Sequence, residues 1–166
     1  MGYRRRIKNY HDFRQHLAVP LVTVEHSFDG TFQLQPRDAD VLVQLAGGDV
    51  MWQKERLLNV ALKSVPGDCD RIAWVDCDVV FDSDDWAERA SRALDDLVLV
   101  HLFQERQDLP PDALLDQRCP QYAVLKARSM VHMIATGEVR PAELTDPAFS
   151  RLRGSPRFSV LVRKKQ

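Results

Sequence analysis

The chain has 166 residues, 45% apolar and 28% charged, with a formal net charge of −1. That length suits one domain with a sizeable core, and the near-neutral balance gives no global case for a nucleic-acid partner. No apolar run approaches the ~20 residues that span a bilayer, no apolar h-region follows the basic residues 4–6, and Cys69, Cys77 and Cys119 have neither disulfide-framework nor zinc-site spacing, so reduced thiols in the cytoplasm are expected.

Residues 5–17 are predicted helical, because Ile7, Tyr10, Phe13 and Leu17 recur at three- and four-residue steps. Pro20 marks entry to a strand over 21–24, and Asp29-Gly30 is the strongest signal of the polar turn after it. Residues 32–34 read as a short strand. A second apolar strand covers 41–45. Gly47-Gly48-Asp49 breaks it and caps a helix over 50–64, with Leu57, Leu58, Ala61 and Leu62 facing a sheet. Pro66-Gly67-Asp68 ends that helix, and 72–75 forms a third, buried strand. Asp85 and Glu88 have capping-box spacing and open a helix with Trp86, Ala90 and Leu94 on one face. Residues 97–103 read as a further buried strand, and Pro110-Pro111 opens a loop.

Strands alternating with helices predict an α/β fold with right-handed crossovers and a mostly parallel sheet. Residues 119–166 differ in charge: nine Lys/Arg stand against three Asp/Glu, a net +6 that leaves −7 on residues 1–118. The expected organisation is a core over 1–118 and a basic segment over 119–166 packed on it or extending it. Within that segment 121–135 reads as an amphipathic helix with Gly137 just past its end, and 157–163 as a last strand.

The chemistry concentrates after the third strand. Asp76 and Asp78 stand two apart among apolar neighbours, where burying both charges would be costly. Strand alternation would put them on one side and Cys77 on the other. The carboxyl end of a parallel strand is where open α/β sheets bind ligands. Two carboxylates opening there suit a hard divalent cation, which in turn suits phosphate oxygens.

In this order the residues resemble a nucleotide-diphosphate-sugar glycosyltransferase of the GT-A fold, close to family 2. The segment from Val22 to Gly30 looks like the family's second strand and acidic turn. Gly47-Gly48 followed by Lys54-Glu55-Arg56-Leu57-Leu58-Asn59 is similar to its Gly-containing turn and basic-Asn helix. The segment from Trp74 to Phe81 looks like its metal-binding Asp-x-Asp strand. The match covers about residues 3–104. It implies a partial GT-A, Rossmann-like three-layer sandwich and transfer of a sugar, from UDP in first place, to a glycan or other acceptor. It also implies Mn²⁺ or Mg²⁺ held by Asp78 and Asp76, with Asp76, Glu25, Lys54 and Arg56 contacting the nucleotide sugar. Glu25 would read the base or ribose. The family's first strand has no counterpart here, which would leave a sheet edge open to pairing, including with a second copy. The acceptor half is not matched beyond about Pro111 either, and no catalytic carboxylate is assigned. These departures point to a shortened, frame-shifted or degenerate copy.

Two other functions compete. Asp76-Cys77-Asp78-Val79-Val80 fits the nucleophile loop of a haloacid-dehalogenase-like phosphatase, but two strands precede it and residues 97–103 do not end in the expected Ser or Thr. A non-catalytic pseudo-transferase would keep the triplet and bind a nucleotide or partner without chemistry. His101 reads as a satisfied core histidine, and Asp82, Asp84 and Asp85 as acidic residues suited to a helix N-terminus.

Overall fold

A computed structural model describes residues 2–49, 53–110, 125–138 and 160–163. The chain is mixed α/β. Its first helix, α1 (Gly2–Gln15), precedes a parallel pair, β1 (Val22–Ser27) and β2 (Val41–Ala46), in register from Val22 opposite Val41 to Ser27 opposite Ala46. The strands form where β-branched residues alternate, and the connection between them, with a 3₁₀ turn at Pro36–Asp38, has the length a parallel crossover needs. Among the described residues of α1, Tyr10 and Phe13 are buried. The Tyr10 hydroxyl shares a 3.0 Å hydrogen bond with Thr23 Oγ1 and donates to the Asp38 carbonyl at 2.8 Å, fastening helix to strand and crossover. Burial pushes that hydroxyl's pKa up, and the bond to Thr23 works against the shift.

Helix α2 (Lys54–Lys63) packs on β1 and leads to β3 (Arg71–Trp74). Helix α3 (Trp86–Asp96) follows, with Trp86, Ala90 and Leu94 buried on the face their spacing predicts. Leu94 is fully buried, and Ala73, Val100 and Leu102 pack around it and Ala90. Arg71 ties β3 to α3 by donating to the Ser91 carbonyl and to Asp95 Oδ1, both at 2.7 Å. Strands β4 (Leu99–His101), β5 (Glu105–Asp108) and β6 (Leu125–Arg128), helix α4 (Met130–Ala135) and strand β7 (Val160–Arg163) complete the order.

The strands divide into three sheets: β1–β2 parallel, β3–β7–β4 antiparallel, and β5–β6 antiparallel. The mostly parallel sheet is therefore corrected to a partly parallel arrangement. The physical reason is β7, which lies between β3 and β4, so that Leu161 faces Ala73 on one side and Val100 on the other. Residues 160–163 of the basic segment pair with both strands. Other boundaries shift as well. Residues 32–34 carry no ladder, and residues 121–135 divide into a strand and a short helix within their described part. Residues 97–103 shrink to three strand residues, with Leu97 54%, Val98 82% and Leu99 53% exposed, and among the described residues β4 lies at the edge of its sheet. Gly137 does follow α4, at φ +76°, a left-handed position glycine takes without strain. The expected helix start at 50 and strand start at 157 lie outside the described residues.

Candidate functional site

Asp76 and Asp78 lie just beyond β3, in a turn and not on a strand. The Val79 N–H donates to the Asp76 carbonyl at 3.3 Å and closes the turn. Strand alternation therefore stops before Asp76 and does not set the two side chains. Asp76 is half-buried, its side chain 19% exposed, whereas Cys77 and Asp78 are exposed. Phe81 stacks on Trp86, centroids 4.1 Å apart, anchoring the far side of the turn to the start of α3. The Asp85 side chain makes no capping bond to that helix and instead accepts from the Ser83 hydroxyl, so the expected capping box does not form.

Lys54, the first residue of α2, donates to Asp76 Oδ1 at 2.5 Å with its own side chain 31% exposed. A lysine at the start of α2 thus meets a carboxylate just after β3. Cys77 has an exposed surface but a crowded neighbourhood. That desolvation first, and then the charges of Asp78 and Asp76, push its thiol pKa up, while the Arg6 guanidinium acts the other way. The thiol is held protonated and is a poor nucleophile.

The parallel pair ends near a second group. His26 Nε2 and the Gly47 carbonyl are 2.7 Å apart, and the His26 ring meets Phe28 edge-on with centroids 4.6 Å apart. Gly47 and Gly48 have φ +77° and +99°. A Cβ on Gly48 would stand 3.8 Å from His26 Nε2 and 3.9 Å from Arg56 Nη1, so glycine relieves backbone strain here more than it opens space. Arg56 donates to Gln53 Oε1 at 3.0 Å and is exposed. His26 was not marked by the sequence as part of any group. The usable signal was alternation through Val22, Val24 and His26, which continues the strand to Ser27 and carries His26 to its end.

Glu25 lies on β1 and not in the polar turn expected after it. Inside β1, its Oε1 accepts from the Gln33 N–H at 2.7 Å, and its Oε2 accepts from the Leu34 N–H at 3.2 Å and from Gln44 Nε2 at 3.0 Å. Gln44 also donates to the Leu34 carbonyl at 3.0 Å. The carboxylate replaces a strand partner for residues 33–34 and straps them to the parallel pair. This bonding gives the backbone N–H groups of residues 33–34 a partner outside any ladder. His101 Nδ1 lies 3.1 Å from the Phe103 carbonyl and is half-buried, a satisfied histidine at a sheet edge instead of in the core.

Among the described residues no group of three or more His, Cys, Asp or Glu side chains comes together as a metal site. The side chains of Asp76 and Asp78 are oxygen donors. Such a pair fits Mg²⁺ or Mn²⁺ in the manner of sites that bind through one or two carboxylates and complete their coordination with water and substrate phosphates. Lys54 already supplies a positive charge to Asp76, so a divalent ion there shares or displaces it. Comparison with protein-family models, curated proteins and solved structures finds no match to this chain. No helix among the described residues is long and apolar enough to cross a membrane.

Proposed function

We propose that the chain binds a nucleotide-diphosphate sugar, a UDP-sugar in first place, and transfers the sugar to an acceptor. Asp78 and Asp76 would hold Mn²⁺ or Mg²⁺. The observation that carries the reading is the Lys54–Asp76 pair in the turn after β3. It brings together two residues from separate parts of the chain that the resemblance assigned to one nucleotide-sugar site. When bound, the cation neutralises negative charge developing on the leaving diphosphate. The chain's own residues position that group. Lys54 places an ammonium beside Asp76, and Arg56 stands by Gly48 as a further cation for phosphate oxygens. Glu25 shapes the nucleotide site by holding residues 33–34, with any direct contact to base or ribose requiring an exchange of those bonds. The three-layer GT-A sandwich belongs to the same proposal.

A second reading, nucleotide binding without transfer, draws on the same contact, since a carboxylate neutralised by a resident lysine has less need of a metal. One experiment separates them. UDP is titrated calorimetrically into the wild type, Asp78→Asn and Lys54→Met, with Mn²⁺ and with EDTA. Release of sugar from a UDP-sugar is followed in parallel. Loss of a charge-assisted contact, about 1.5–3 kcal/mol, should weaken UDP binding by Asp78→Asn in Mn²⁺ roughly 10- to 150-fold, toward the EDTA value. Lys54→Met should bind Mn²⁺ alone more tightly and UDP more weakly. Equal wild-type affinity in EDTA removes the metal, and with no sugar release it selects the second reading.

A further inference from the structure

The parallel strands β1 and β2 end together, and a histidine and an arginine meet at that end. The point a Cβ would occupy on Gly48 lies 3.8 Å from His26 Nε2 and 3.9 Å from Arg56 Nη1. The two nitrogens are therefore no more than about 8 Å apart, the range over which charges act on each other at physiological salt. Gly48 itself is exposed. Arg56 donates to Gln53 Oε1, a neutral partner, and among the described residues it makes no ion pair.

The hydrogen bond at His26 fixes its tautomer. The Gly47 carbonyl, 2.7 Å from Nε2, can only accept, so Nε2 carries the proton and Nδ1 of the neutral ring does not. Among the described residues Nδ1 has no hydrogen-bond partner. It can take a second proton without breaking the bond to Gly47, which a charged donor strengthens. Arg56 opposes that proton, because its guanidinium is always charged. The other charges nearby are few or already engaged. Leu45 stands opposite His26 on β2. The turn adds Asp49, which is exposed and makes no ion pair among the described residues. Val50, Met51 and Trp52 carry no charge. In the first turn of α2, Lys54 is paired with Asp76, and Glu55 is exposed. On the side of β1, Glu25 is taken up by residues 33, 34 and 44, and Asp29 by Ser27 and Thr31. An oxyanion beside the two nitrogens relieves the conflict between them. It is attracted by Arg56, and in its presence the second proton on His26 becomes favourable, so anion and proton raise each other's affinity.

We propose that His26 and Arg56 form an oxyanion site at the Gly47-Gly48 turn, taking a phosphate-type group whose binding is linked to a proton on His26 Nδ1. The site stands apart from the acidic turn and its metal, and it goes beyond the nucleotide reading, with which it shares Arg56. The test uses the full chain in EDTA. Sulfate is the probe, because it keeps the shape of phosphate and both its charges across the range in which histidine titrates. Chloride at equal ionic strength controls for screening. Binding is read by NMR from the Gly48 amide resonance. Sulfate should bind roughly tenfold more tightly at about pH 6 than at about pH 8, since the imidazolium adds a charge within reach of the anion. His26→Gln, whose amide still donates to the Gly47 carbonyl, should keep the weaker affinity at both pH values. Arg56→Met should lose sulfate binding at both, with circular dichroism unchanged. Equal sulfate affinity at the two pH values, a pH response that survives in His26→Gln, or a Gly48 resonance that chloride moves as far as sulfate overturns the proposal. UDP added at the lower pH separates the sources of the group. Displacement of sulfate by UDP puts the phosphoryl group of a nucleotide on the site. UDP without effect leaves a free oxyanion there and counts against the nucleotide reading alone.

Discussion

The β1–β2 pair and the β3–β7–β4 sheet are built from material gathered over different distances. The first is local. β1, its crossover and β2 lie within residues 22–46, α1 just before them lends Tyr10 and Phe13, and polar side chains (Tyr10, Glu25, Gln44) fasten its pieces. The second, among the described residues, joins β3 and β4 through a strand from residues 160–163, and it is fastened by an apolar contact around Leu94. The halves should therefore fail independently and by different chemistry. The acidic turn, attached to β3 but held to α2 through Lys54, lies where they meet.

The sharpest break is Leu161→Pro. Proline in a central strand removes a ladder donor and should cost on the order of 3 kcal/mol or more. Amide exchange should show β3 and β4 losing protection while β1 and β2 retain theirs. Equal loss in both halves would mean that they fold as one unit. Next in size is Leu94→Ala, at a fully buried position. It should destabilise by about 2–5 kcal/mol in denaturant unfolding, read through the β3–β7–β4 amides.

Legibility followed the same division. Helix α3 was readable because Trp86, Ala90 and Leu94 repeat at helical spacing and all three are buried. β2 was readable because its apolar run is short and bounded by Gly47-Gly48. Periodicity carries no information about partners, so β7 as the central strand of an antiparallel sheet was not accessible from residues 71–74 or 99–101. The same lack made residues 97–99 look buried, since an apolar run has one appearance at an edge and at a centre. In the candidate site, Asp76 and Asp78 stood out by composition, and the pairing of Asp76 with Lys54 needed tertiary structure. Glu25 was noticeable, but its service to residues 33–34 depends on a crossover no local pattern shows.

Smaller effects sharpen the local half. Tyr10→Phe removes the bonds to Thr23 Oγ1 and the Asp38 carbonyl and should cost about 1–3 kcal/mol, with loosening of α1 from β1 seen by amide exchange and β3 unaffected. The smallest effect concerns Asp29. The Thr31 N–H and then the Ser27 hydroxyl hold its carboxyl below the ordinary carboxylate range. The fold favours the ionised form, so this contribution is present above the unfolded-state value of about 4 and is lost as pH falls through the lowered one. An acid titration followed by NMR should show the Thr31 amide exchanging faster below that point before either sheet changes. An unaltered Thr31 amide would place the turn's order in Gly30 alone, whose φ of +80° does not titrate.

The central place of β7 also governs the order in which the molecule can assemble. During synthesis about ninety residues emerge between Trp74 and its partner Val160. At about 5–20 residues per second, β3 waits roughly 4–20 s for the strand that covers it. The β1–β2 pair, closed within its own stretch, can form long before. A nascent chain therefore presents an ordered first half beside two uncovered apolar strands, β3 and β4. Closing that long loop raises the mean sequence separation of the contacts and slows folding. The interval in which those strands stand open is when a chaperone, or another nascent chain, has its best access to them.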